Sequence, residues 1–169
     1  MKLFRGIIFG IPFSLLLWIL IISGCTHVYR ENNMVYVKGF INNVSYNDLS
    51  RLIVDDAVVV LDSDGGEVAP SVKIAELIRR HNADTRVDNQ CASACVLMFG
   101  AGRHRSLSPG ARIGVHRSDA NEIVDSAISD FMLIYGTPSR IVQAMMTTPH
   151  YSIHWLSDAE LHEWNVKTE

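Results

Sequence analysis

Dense basic clusters are missing from this chain. Its fifteen Lys and Arg are scattered among eighteen Asp and Glu over 169 residues, for a formal charge of −3. A nucleic-acid surface needs a cationic patch to neutralise phosphates, so that class is excluded. Cysteine is scarce, with three residues in all. None forms a C-x-x-C pair, which removes thioredoxin-like redox chemistry, and a zinc site would need more ligands. His150 and His154 share a four-residue spacing, but Pro149 and the missing glutamate of H-E-x-x-H argue against a metal. No metal or other cofactor is therefore expected. Low-complexity runs and internal repeats are also absent.

One long apolar run exists, Gly6 to Ile22, preceded by Lys2 and Arg5 and followed by Ser23-Gly24-Cys25. A basic start, an apolar core and small residues beyond it are the layout of a secretory signal. Ile22-Ser23-Gly24-Cys25 resembles the bacterial lipobox, which implies lipidation of Cys25 and membrane lipid as a partner. An uncleaved anchor is the alternative, because the run could just span a bilayer. Either reading places the body outside the cytoplasm, at the bacterial envelope. Residues 1–24 are thus assigned to a signal or anchor, 25–33 to a polar tether, and 34–169 to a single domain with a sizeable core.

Within the body, Met34 to Ile41 alternates apolar and polar residues as a strand does. Ala57-Val58-Val59-Val60-Leu61 is continuous, as expected for a strand covered on both faces. Helical spacing predicts helices over 45–54, 68–80, 94–100, 122–135 and 139–146, with short strands at 85–88 and 112–116. Ser157-Asp158-Ala159-Glu160 has the pattern of a capping box that opens a last helix. Strands alternating with helices predict an α/β fold with largely parallel pairing. Phe131, Met132, Ile134, Tyr135, Met145 and Met146 are expected in the core or at a subunit contact, and Arg103-His104-Arg105 at a solvated edge.

Chemistry concentrates between Val58 and His116. A Gly65-Gly66 pair comes after the apolar strand, Ser93 sits within Cys91-Ala92-Ser93-Ala94-Cys95, and Gly114-Val115-His116 ends a later strand. Acyl transfer needs a nucleophile, a base and N–H groups facing the developing oxyanion. Ser93 at the start of a helix would be the nucleophile and His116 the base. Gly65 and Gly66, without side chains, and Ala94, next to the nucleophile, would supply the N–H donors.

This order of motifs, Leu61-Asp62-Ser63-Asp64-Gly65-Gly66, then Ala92-Ser93-Ala94, then Ile113-Gly114-Val115-His116, resembles the Clp-protease/crotonase superfamily. Within it, the likeness is to the serine-peptidase branch of the Clp proteolytic subunit and the serine-type signal peptide peptidase. It spans roughly Met34 to Val166. The resemblance implies a core of repeated β-β-α units with a mostly parallel sheet and flanking helices. It also implies a peptide or protein substrate and a homo-oligomer. Asp64 stands where many relatives carry proline.

In the Clp subunit an aspartate precedes a helix resembling Ser157-Asp158-Ala159-Glu160-Leu161. Alignment there brings Ser152, Ile153 and His154, and no carboxylate. Asp119 and Asp158 are the nearest acids in sequence. A Ser–His dyad, a triad with an unusual third member and a weakened enzyme all fit. Cys91 and Cys95 suit either a disulfide in an oxidising compartment or two buried thiols. The leading expectation is an envelope serine peptidase. A lipid-tethered binding or assembly module without catalysis is the alternative, and a crotonase-type enzyme acting on acyl-CoA is a distant third.

Overall fold

The computed structural model describes residues 26–169. The signal or anchor and Cys25 lie outside the described residues. Eight strands form one mixed, mostly parallel sheet flanked by helices, so the chain is α/β. The strands are β1 (His27–Glu31), β2 (Met34–Lys38), β3 (Val58–Ser63), β4 (Asp84–Ala92), β5 (Arg105–Leu107), β6 (Arg112–Val115), β7 (His154–Trp155) and β8 (Val166–Thr168). The helices are α1 (Asn43–Leu52), α2 (Val68–Arg80), α3 (Cys95–Gly100), α4 (Glu122–Ile134), α5 (Ser139–Thr147) and α6 (Asp158–Glu163). No described helix is long and apolar enough to cross a membrane.

The parallel core runs β2-β3-β4-β5-β8. Val59, Val60 and Leu61 of β3 are fully buried, as the unbroken apolar run predicts. Helix α2 turns Ile74, Ala75, Leu77 and Ile78 into the core. Asn42 caps α1 by accepting from the N–H groups of Val44 and Ser45. The Ser157 capping box opens α6 with Glu160 as its reciprocal partner.

Residues 27–31, expected as part of a tether over 25–33, instead form β1, antiparallel to β2. Tyr29 lies opposite Tyr36, and their rings stack with centroids 4.7 Å apart. Cross-strand aromatic pairs of this kind hold a polar edge strand that its own sequence would not specify. Strands β5, β7 and β8, two or three residues each, are further additions to the expected pattern. Arg103-His104-Arg105 is only partly a solvated edge. Arg103 and His104 both bond Asp84, whereas Arg105 enters β5 and donates to the Gly102 and Trp164 carbonyls. Met132 and Met145 are in the core, while Ile134 and Met146 are exposed.

On its edge away from β3, strand β4 serves two partners. Its first half pairs with β5, from Thr85↔Arg105 to Val87↔Leu107. Its second half pairs with β6, through Gln90↔Arg112, Cys91↔Ile113 and Ala92↔Gly114. A register shift against β3 separates the halves: Leu61 faces Val87, yet Ser63 faces Cys91. Asp88, Asn89 and Gln90 therefore oppose Asp62 alone, and such a bulge bends the strand.

Trp164, fully buried after α6, meets Phe99 of α3 edge-to-face at 5.3 Å. A Cβ on Gly100 would already lie 3.3 Å from its ring. Replacing Trp164 with alanine is expected to cost about 3–5 kcal/mol, as for other large-to-small core changes. The urea unfolding midpoint measures it.

Candidate active site

Ser93 comes after β4 at the point where the chain turns into α3. Its φ is +56°, in the left-handed region. The other non-glycine residues there, Asn32, Asp56, Asn82 and Asn165, are of the types that enter it readily. Serine does not, and the conformation costs on the order of 1–3 kcal/mol unless its surroundings enforce it. Here they do. The Ser93 N–H donates to the Gly114 carbonyl at 3.0 Å, and its own carbonyl accepts from the Val96 N–H at 3.0 Å. Cys91 and Cys95 form a disulfide across the turn, with Cα atoms 5.4 Å apart. Of the two arrangements open to them, the structure has the bonded one.

Of the glycine pair, Gly65 lies against this turn, whereas Gly66 packs on Ile41, and both line a neighbouring pocket with Asp64 and Gln90. Gly65 has φ +111°, and a Cβ there would sit 2.7 Å from Ser93 Cβ and 3.2 Å from the Ala94 nitrogen. Its N–H is engaged by Ser63 Oγ at 3.0 Å. Gly65 therefore gives close approach rather than a free donor, which corrects the role expected for it. The N–H groups of Gly66 and Ala94 make no hydrogen bond among the described residues. Asp64 is exposed and accepts from Gln90 Nε2.

His116 comes directly after β6. Its Nδ1 is 2.8 Å from the Arg117 carbonyl oxygen. A carbonyl only accepts, so Nδ1 carries a proton, which leaves Nε2 as the ring nitrogen able to accept. The segment is pinned twice more. The Arg117 N–H donates to the Thr148 carbonyl at the end of α5, and the Ser118 N–H donates to Asp125 Oδ1 at 2.7 Å. Ser93, Ala94, His116 and Ser118 line one small cleft with Val96, Leu97, Ile128, Met132 and Met145. The cavity measures about 30 Å³, room for a small side chain or a couple of waters. Ser93 and His116 share it without being hydrogen-bonded to each other.

No carboxylate among the described residues reaches His116. Asp119 and Asp158 are exposed and do not bond it. Strand β7 pairs with β6 through Val115↔His154 and Gly114↔Trp155. Ile153 packs over Gly114, where a Cβ would lie 2.4 Å from Ile153 Cγ2. Ile153 thus occupies the middle of the stretch expected to bring an acid. His154 turns to Glu160 instead, with Nε2 and Oε1 3.0 Å apart. Among the described residues no group of three or more His, Cys, Asp or Glu could hold a metal.

Glu160 is buried beneath His154. Burial pushes its carboxyl up, but the Ser157 hydroxyl, the Ser157 N–H and His154 outweigh this and hold it at about 2. Asp125 and the Arg117 carbonyl are the contributors that sequence reasoning misses. Asp125 leaves one faint signal, an acid in the first turn of a helix capped by Asn121. The chain matches no model of a known protein family and no curated protein.

Two outcomes are expected from this geometry. Gly65→Ala drives a methyl against Ser93 Cβ and should slow chemistry at Ser93 by about two decades, as misplaced reacting groups do. Labelling by a serine-directed fluorophosphonate reads it. The folded value of Glu160 lies below its unfolded value of 4.5. The stability it contributes is therefore full above about pH 4.5 and lost as pH falls through about 2. Glu160→Gln is expected to remove roughly 2–3 kcal/mol at neutral pH and to flatten that acid limb. Urea unfolding at pH 7, 4 and 2.5 tests both.

Proposed function

We propose that the chain is a serine peptidase working through an acyl-enzyme. The observation that carries this reading is Ser93, held in a left-handed turn beside an imidazole whose Nδ1 is already committed. Ser93 Oγ attacks the peptide carbonyl, and His116 Nε2 takes its proton and returns it to the leaving amine. The free N–H groups of Gly66 and Ala94 hold the oxyanion. The Arg117 carbonyl fixes the tautomer, the task that a carboxylate performs in a full triad. Water then releases the acyl group by the same route in reverse. The tight apolar cleft favours a small apolar residue on the acyl side of the cut bond.

The motif order and the mostly parallel α/β sheet support placement in the Clp-protease/crotonase superfamily. In this reading the body is tethered by lipid at Cys25, faces the periplasm or the outside of a bacterium, and works as a homo-oligomer on peptides or proteins. A binding or assembly module of the same fold is the second reading. It is favoured by the missing carboxylate and by the unformed Ser93–His116 hydrogen bond.

A fluorophosphonate probe is expected to label the wild-type protein at Ser93, seen by mass spectrometry of the modified peptide. His116→Ala should lower the labelling rate by about two to four decades, the worth of general base catalysis. A folded wild type that resists the probe leaves the binding module as the function.

A further inference from the structure

We propose that the Cys91–Cys95 disulfide is the positioning device that keeps Ser93 reactive, so that the nucleophile is competent only in the oxidised protein. The inference rests on the reading of Ser93 as nucleophile. Its basis is the arrangement of three neighbouring constraints. Cys91 is fixed in the sheet, paired with Ser63 on one side and Ile113 on the other. Cys95 is the first residue of α3 and belongs to the same core. Between them Ser93 holds φ +56° without the side-chain chemistry that eases Asn and Asp into that region.

The hydrogen bonds from Ser93 N–H to Gly114 and from Val96 N–H to Ser93 are ordinary in length. Such bonds are individually weak in net terms, and the turn they hold is itself unfavourable. The covalent link therefore decides the balance. It closes a ring around Ala92-Ser93-Ala94 and ties the strand end to the helix start. When the link is broken, two thiols must sit at van der Waals distance in a site with no exposed surface for either cysteine. The cheapest relief lies in the three residues between them. Relaxation of Ser93 toward negative φ moves Oγ relative to His116 and turns the Ala94 N–H. Both cysteines are fully buried, so a reductant does not reach them in the folded protein. The device acts as a lock set during folding, not as a rapid switch.

The setting reaction balances with a disulfide co-reactant such as oxidised glutathione. Cys91 and Cys95 together lose two electrons and two protons, the sulfur–sulfur bond forms, and the co-reactant becomes two thiols. A chain that folds in a reducing compartment would hold a latent nucleophile. The same chain would become active where disulfides form.

The test uses the full chain in detergent. One sample keeps its disulfide. A second is unfolded, reduced and refolded under reductant, and a third is the second after unfolding and refolding with oxidised glutathione. Circular dichroism and the thermal midpoint report folding, and the fluorophosphonate rate at Ser93, well below every midpoint, reports chemistry. Labelling is expected to fall about a hundredfold in the folded reduced protein, the scale set by misplacement of reacting groups. It should recover after reoxidation. Cys91→Ala/Cys95→Ala should stay slow with or without glutathione, and Cys95→Ser gives the same comparison if the double variant fails to fold. A lower midpoint with an unchanged rate would reduce the disulfide to a structural brace and overturn the proposal. No labelling even in the oxidised wild type would instead overturn the reading of Ser93 as nucleophile.

Discussion

The ladder between the second half of β4 and β6 is the constraint on which the site depends. Three residue pairs join them, Gln90↔Arg112, Cys91↔Ile113 and Ala92↔Gly114. The Ser93 N–H then adds one more bond to Gly114 as the chain leaves the sheet. Parallel strands that end at the same level deliver their next residues to one place, here Ser93 after β4 and His116 after β6. The pairing begins where the β4 bulge ends. Strand β5 ends at Leu107, opposite Val87, and β6 takes up the same edge of β4 from Gln90 onward. The relative placement of the Ser93 and His116 backbones is thus set by hydrogen bonds in the sheet.

Around that ladder the fold divides its labour. The parallel centre with α1 and α2 supplies the burial that stabilises the chain. The smaller part, β6, β7, α4 and α5, holds the histidine segment from two directions, through Asp125 and the Thr148 carbonyl. Glu160 links the pieces by fixing His154 on β7 and opening α6 at once. From α6 the chain runs directly to Trp164, which seals the helix behind Ser93. Ser93 and His116 thus share the β4–β6 ladder, with α3 following the first and α4 and α5 holding the segment after the second.

Much of this is legible from residue patterns, for reasons that differ by element. The helix over 68–80 has the bounds its pattern predicts, because its apolar stripe and Pro70 in the first turn are local signals. The Val58–Leu61 strand and the Ser157 capping box are legible for the same reason. Strands β1, β5, β7 and β8 are not, since two to five polar-rich residues become strands only when a neighbour pairs with them. At the site, Ser93, His116 and the glycine pair can be nominated by type and order. That Gly65 spends its N–H on Ser63 is a matter of local loop geometry that residue type does not reveal. That Asp125 steadies the loop after the base depends on how α4 packs back against that loop. The partner of His116 is invisible because sequence reasoning looks for a side chain, and here it is the Arg117 backbone oxygen.

The Arg117 carbonyl is a backbone group, and a peptide oxygen belongs to every residue type. Whatever amino acid replaces Arg117, short of distorting the backbone, the imidazole keeps its support. On the peptidase reading proposed above, there is no acidic partner to lose by point mutation, and side-chain scanning would find Ser93 and His116 and overlook the Arg117 carbonyl. On the same reading His116 leans on a dipole instead of a full negative charge, a gentler pull on the imidazolium of the proposed mechanism. On that reading, the centre trades raw rate for a support that no side-chain substitution at Arg117 removes.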